Sequence, residues 1–147
     1  MPYGNSSTKI GSSCIDSNDE IIRHIMCKDF NNQTNTVKTS AFDTAKLSTE
    51  GISVSIERLL SPTIRHHIIR ALEKGNKFTY ICDYISAADE IVGIQDDNSN
   101  PAFNLNYSPL ALNVAHADIK FSSFIASLTR AEHKKYRKLL MDVFIIK

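Results

Sequence analysis

The sequence predicts an α+β domain: a mixed or antiparallel sheet of about five short strands flanked by two helices. Three observations predict it. Gly51-Ile52-Ser53-Val54-Ser55-Ile56 alternates strictly, which puts Ile52, Val54 and Ile56 on one face of a half-buried strand. Two other segments carry apolar residues at helical spacing between recognisable ends. No internal repeat or low-complexity tract organises the chain into a solenoid.

Each element has its own reason. Residues 1–18 are polar and rich in Ser and Gly, and are expected to form a flexible arm, with a single domain over 19–147. Glu20-Ile21-Ile22-Arg23-His24-Ile25-Met26-Cys27 is too short and too continuously apolar for periodicity to settle. Its paired isoleucines favour a strand, with a helical turn as the alternative. Residues 31–39 are expected to be a loop. Ser61-Pro62 opens a helix, with Ser as cap and Pro in the first helical position, and Gly75 is expected to close it. Ile64, Ile68, Ile69 and Leu72 supply its apolar spacing.

Residues 77–85 are aromatic and β-branched, as strands prefer. Ser86 is expected to cap a short helical turn, and Ile91-Val92-Gly93-Ile94 to form a further strand. Residues 95–113 hold two prolines and five asparagines and show no period, so a long irregular loop is expected there. The strand 114–121 follows, with Val114, His116 and Asp118 opposite Ala115, Ala117 and Ile119. Thr129-Arg130-Ala131-Glu132 is a capping box for the last helix.

Composition narrows the function classes. At 147 residues, 42% hydrophobic and 22% charged, the chain suits one globular domain with a genuine core. A net charge of +1 argues against a dedicated nucleic-acid binder. Arg130, Lys134, Lys135, Arg137 and Lys138 read as a solvated helix face, although they could steer an anion. Three cysteines without paired spacing point to a reducing compartment, and no apolar run is long enough for a membrane span. With no apolar signal segment at the N-terminus, a cytoplasmic location is expected.

Motif chemistry is sparse. The five glycines are scattered, so no phosphate loop is present, and there is no nucleophile elbow. Cys27 and Cys82 are expected to be buried, inert thiols. His24 and Cys27 have an H-x-x-C spacing that suits two ligands on one helical turn, and His66, His67, Cys82 or His116 could complete a shell, but C-x-x-C and H-E-x-x-H patterns are missing and no metal site is assigned.

What remains is a polar set at element ends: Arg23 and His24, Ser40, Ser53 or Ser55, and His116. An arginine fork grips a phosphate, a serine adds a neutral hydrogen bond, and a histidine exchanges a proton near neutral pH. Read as a site, Arg23 and His24 would bind a nucleotide, while His116, Ser40 and Ser53 would carry chemistry. Read as structure alone, Arg23 pairs with a surface carboxylate and the serines are strand-edge polar residues.

These residues also carry a resemblance. Ile22-Arg23-His24-Ile25, Thr39-Ser40-Ala41-Phe42, Ile52-Ser53-Val54 and Ala115-His116-Ala117-Asp118-Ile119 resemble, in that order, a family of small uncharacterised bacterial proteins. A fainter likeness is to the RES-type toxins, whose ADP-ribosyltransferase-like fold degrades NAD. Asn113-Val114-Ala115-His116-Ala117-Asp118-Ile119 is similar to their late Asn-Pro-x-His-Pro-Asp-Phe segment. Their glycine-rich Gly-Gly-Arg-Trp-Asn element is missing, and Glu57 is the nearest candidate for their glutamate.

Two functions follow as expectations. The first is a non-catalytic cytosolic interaction or regulatory domain of a bacterial protein, with a toxin or defence module as one setting for it. It would need no cofactor, and would have an unidentified protein partner or form a homodimer. The second is an ADP-ribosyltransferase-like enzyme that binds or cleaves NAD or a related nucleotide. That reading requires Arg23, a strand serine and His116 to line one pocket.

Overall fold

The computed structural model describes residues 9–10, 15–76 and 78–147. Strands are β1 (Lys9–Ile10), β2 (Ile15–Asp16), β3 (Glu20–Met26), β4 (Phe30–Asn31), β5 (Thr36–Val37), β6 (Ile52–Ile56), β7 (Tyr80–Ala87), β8 (Phe103–Tyr107), β9 (His116–Phe121) and β10 (Ile145–Ile146). Helices are α1 (Thr44–Ser48), α2 (Pro62–Asn76), α3 (Ala88–Val92), α4 (Ser123–Ala126) and α5 (Arg130–Asp142). Six strands form one sheet in the order β10-β7-β3-β6-β9-β8, and every neighbouring pair is antiparallel. The fold is α+β, as the sequence predicts, and α2 and α5 are its two long helices.

Alternation explains how the sheet divides its faces. Ile21 and Ile25 of β3, Ile52, Val54 and Ile56 of β6, and Ala117, Ile119 and Phe121 of β9 all enter one core. Helices α1, α3, α4 and α5 add Leu47, Ile91, Ile125, Tyr136 and Leu140 to it. His24, Ser53, Ser55, His116 and Asp118 are the intervening residues and occupy the opposite face.

The ends of the long helices follow their signals. Ser61 Oγ accepts from Ile64 N–H at 3.2 Å, and Thr129 Oγ1 accepts from Glu132 N–H at 3.3 Å. Helix α2 runs one residue past Gly75, to Asn76.

Four segments depart from expectation. Ile91 and Val92 end α3 instead of forming a strand, with Gly93 N–H bonded back to Asp89 O at 2.9 Å. A four-residue apolar run is ambiguous by pattern, and Asp89 and Glu90 in the first turn suit a helix dipole. The stretch 95–113 is not wholly irregular, because it contains β8. There Phe103 and Leu105 are buried and alternate with asparagines, whose turn preference hid the strand. Within 31–39, β5 pairs with β4 as a small hairpin, turned by Asn35 at φ 55°. The strand expected over 77–85 lies over Tyr80–Ala87.

The N-terminal arm falls largely on residues 1–8 and 11–14, which lie outside the described residues. Packing nevertheless reaches back to Ile15, which is fully buried in the core. Cys27 and Cys82 are half-buried and not enclosed, which corrects the expectation of buried thiols. Burial raises the Cys82 thiol pKa, and neighbouring Asp83 adds to the rise. Among the described residues, no helix is long and apolar enough to cross a membrane.

Gly51 leads into β6 with φ +92°, and a Cβ there would meet Asp118 Cβ at 3.1 Å and Ile119 O at 3.2 Å. Both the backbone angle and the approach of β9 favour glycine. Gly51→Ala is expected to destabilise the fold by about 1–3 kcal/mol. Urea denaturation would measure it, and an unchanged midpoint would contradict this account.

Candidate functional site

The polar face of the sheet owes its arrangement to strand register. In the ladder β3–β7, His24 stands opposite Asp83; in β6–β9, Ser55 stands opposite His116 and Ser53 opposite Asp118. One row of polar residues therefore runs across four adjacent strands.

Between β3 and β6 the ladder is brief. It pairs Ile21 with Ile56 and Ile22 with Ser55, and goes no further. Beyond those pairs the Arg23 guanidinium takes over: Nε donates to Ala41 O at 3.1 Å, and an Nη donates to Ser53 O at 3.1 Å. A side chain thus bridges the strands where backbone hydrogen bonding stops. Burial lowers the Arg23 pKa from its ordinary value, and the Asp29 carboxylate opposes that fall.

A cavity of ≈ 290 Å³ opens over this region. Its sheet side is lined by Arg23, His24, Ser53, Ser55 and His116, and α2 contributes His67, Ile68, Ala71 and Leu72. Leu110, Leu112 and Asn113 from the β8–β9 connection complete its rim. Arg23 and Ser53 also border a second cavity of ≈ 240 Å³, together with Lys46, Glu50 and Asp118.

Hydrogen-bond partners fix both cavity histidines. His24 Nδ1 lies 3.0 Å from Asp83 Oδ1, and Nε2 lies 3.0 Å from Ser55 Oγ. An ionised carboxylate only accepts, so Nδ1 carries the proton. In the neutral ring Nε2 is then an acceptor, and Ser55 Oγ–H donates to it.

His116 is set in the same way by a different partner. Its Nδ1 donates to Ser108 O at 2.8 Å, leaving Nε2 to accept from Ser53 Oγ at 3.2 Å. Ser108 Oγ in turn donates to Asp118 Oδ2 at 2.8 Å. The cleft therefore holds two serine–histidine pairs, each with its acceptor nitrogen toward the hydroxyl.

Asp83 has two further side-chain partners, which also contact each other. Tyr80 Oη–H donates to its Oδ1 at 2.7 Å, and Arg65 of α2 reaches its Oδ2 at 2.7 Å. Arg65 also donates to Tyr80 Oη at 2.9 Å. Burial alone would raise the Asp83 pKa, but the hydrogen bonds from His24, Tyr80 and Arg65 outweigh it and hold the carboxyl at about 2. Burial and the same carboxylate push the Tyr80 phenol up to about 12.

Of the residues singled out by sequence, Arg23, His24, Ser53 and His116 line one cleft, and so does Ser55. Ser40 does not line it. Its Oγ donates to buried Asp29 Oδ1 at 2.7 Å, and Asp29 is the carboxylate whose charge acts on Arg23. The Arg23 partners are backbone carbonyls, not the surface carboxylate of the structure-only reading. Asp83, Tyr80, Arg65 and Ser108 are not evident from the sequence, because the β3–β7 register brings Asp83 to His24, α2 delivers Arg65, and the β8–β9 connection delivers Ser108. The alternation of Cys82, Asp83 and Tyr84 could have placed Asp83 on a definite face, but not opposite His24.

Fold and site together define an α+β domain with a polar cleft between an antiparallel sheet and a helix. No protein-family model, curated protein or solved structure matches the chain.

Proposed function

We propose that the chain binds a small, phosphate-bearing ligand of the nucleotide class in the cleft between the sheet and α2. The observation that carries this reading is the convergence of Arg23, Ser53 and His116 on one cavity. Arg23 has five N–H donors, and its bonds to Ala41 O and Ser53 O occupy two of them. The remaining donors suit a phosphate oxygen. Ser53 offers a hydroxyl to a ribose or amide, and His116 exchanges a proton through Nε2.

Cavity size limits what enters. At ≈ 290 Å³ it stands at the small end of ligand pockets, which span about 300–1,000 Å³. One nucleoside-sized portion fills it, and a dinucleotide would extend past Leu110 and Leu112. The likeness of the His116 segment to the RES-type toxins makes NAD and ADP-ribose the first ligands to try.

Thermal unfolding with and without each ligand tests the proposal. At about 100 times the dissociation constant, binding adds about 2.7 kcal/mol, a rise of several degrees. The rise is expected in the native chain and is expected to vanish in His116→Ala. A native chain whose melting neither ligand moves would overturn the reading.

The interaction-domain reading keeps one specific support. Leu110, Leu112 and Val114, in the connection at the cleft rim, are 54%, 71% and 46% exposed. Three apolar side chains facing solvent in one short segment suit contact with another protein. Sedimentation of the chain alone would detect a homodimer through that segment, and a monomer would leave a different protein as the partner.

A further inference from the structure

We propose that Ser55, His24 and Asp83 form a nucleophilic relay that cleaves carboxylic esters of small apolar acids. This goes beyond nucleotide binding and requires no phosphate in the cleft.

The argument begins with the polar line itself. Ser55 Oγ, His24 Nε2, His24 Nδ1 and Asp83 Oδ1 are joined by two hydrogen bonds of 3.0 Å each. A serine becomes a nucleophile when an adjacent imidazole can take its proton and a carboxylate holds that imidazole in the right tautomer. Each role is filled here by chemistry already fixed in the fold. Tyr80 and Arg65 keep Asp83 in place as a pure acceptor, so Asp83 orients the ring and stabilises it once protonated.

Access sets the substrate class. Ser55 is only 2% exposed, but Ser55 and His24 both border the cleft. The cleft that Ser55 borders is also lined by Ile68, Ala71, Leu72, Leu110 and Leu112. That lining suits a short apolar acyl group. Arg23 borders the same cleft and provides positive charge for a developing oxyanion.

The reaction balances with water as the second substrate. Ser55 Oγ attacks the ester carbonyl carbon while its proton passes to His24 Nε2. The C–O bond to the leaving group breaks, His24 gives that proton to the departing alkoxide, and an acyl ester remains on Ser55. Water then attacks the acyl carbon, passing a proton to His24. The acid leaves and the proton returns to Ser55 Oγ.

A fluorophosphonate probe distinguishes an activated serine from an inert hydroxyl. Incubating the full chain with the probe and mapping the adduct by peptide mass spectrometry is expected to give one label, on Ser55. Labelling should disappear in Ser55→Ala and slow about 100-fold in His24→Gln, the loss typical of a missing general base. Hydrolysis of p-nitrophenyl butyrate should follow the labelling. An unlabelled native chain, or an adduct mapped to Ser53 or any other residue, would overturn the proposal. Mapping on the native chain decides this even if a variant fails to fold. Because the probe carries no nucleotide, its result stands apart from the ligand-dependent melting test.

Discussion

Replacing Asp83 by alanine is expected to cost about 3–4 kcal/mol of folding stability, the range for stripping one partner from a buried charge network. Asp83 accepts from His24 and Tyr80 through one oxygen and from Arg65 through the other. Alanine leaves the His24 N–H and the Tyr80 hydroxyl without that acceptor, and it leaves Arg65 without its carboxylate. At this chain length the melting temperature should fall by on the order of 10 °C.

The same carboxyl predicts acid sensitivity. Its folded pKa of about 2 lies below the ordinary 3.8, so its stabilising contribution is complete above the unfolded value and shrinks as pH falls from about 4 toward 2. Allowing for partial solvent screening, that contribution is about 1–2 kcal/mol. Urea midpoints at pH 7, 4 and 2.5 should show this component in the native chain and not in Asp83→Asn. A Asp83→Ala cost below about 1 kcal/mol would mean that the network is merely tolerated.

Phe42→Ala is expected to cost about 3–5 kcal/mol, as for a fully buried ring whose cavity cannot collapse. Phe42 is 0% exposed, with ring centroids 5.2 Å from Phe144 and 6.1 Å from Tyr84. Tyr84 is tied to the end of α5 by its hydroxyl on Met141 O at 3.0 Å, which resists collapse into the void. Phe42 also follows Ala41, whose carbonyl receives Arg23. Under the proposed nucleotide-binding function, loosening this turn should therefore weaken binding of NAD or ADP-ribose as well, and paired denaturation and binding measurements would reveal both losses. A cost below about 1.5 kcal/mol would show that the neighbours repack.

Much of this architecture was legible because it is local. The alternation of Ile52, Val54 and Ile56 revealed β6, and Ser61-Pro62 and Thr129–Glu132 announced the two long helices. Ile91–Ile94 misled because a short apolar run fits either structure, and β8 was hidden by its asparagines. In the site, Arg23, His24, Ser53 and His116 stood out by residue type and position. Their setting did not. Asp83 is 59 residues from His24, and only the β3–β7 register makes them neighbours. Ser40-Ala41-Phe42 stood out too, but as a turn that anchors Asp29, fills the core and offers a carbonyl.

Arg23 gives this sheet a rung made of side chain. Beyond the Ile22–Ser55 pair, the join between β3 and β6 rests on a guanidinium and not on amide pairing, so the charge proposed to hold a ligand and the geometry of the sheet meet in one group. Lysine is a poor replacement there, because a single ammonium on a flexible stem lacks the planar fork that reaches two carbonyls in different directions. An anion drawn to Arg23 would pull on the join between the two halves of the sheet.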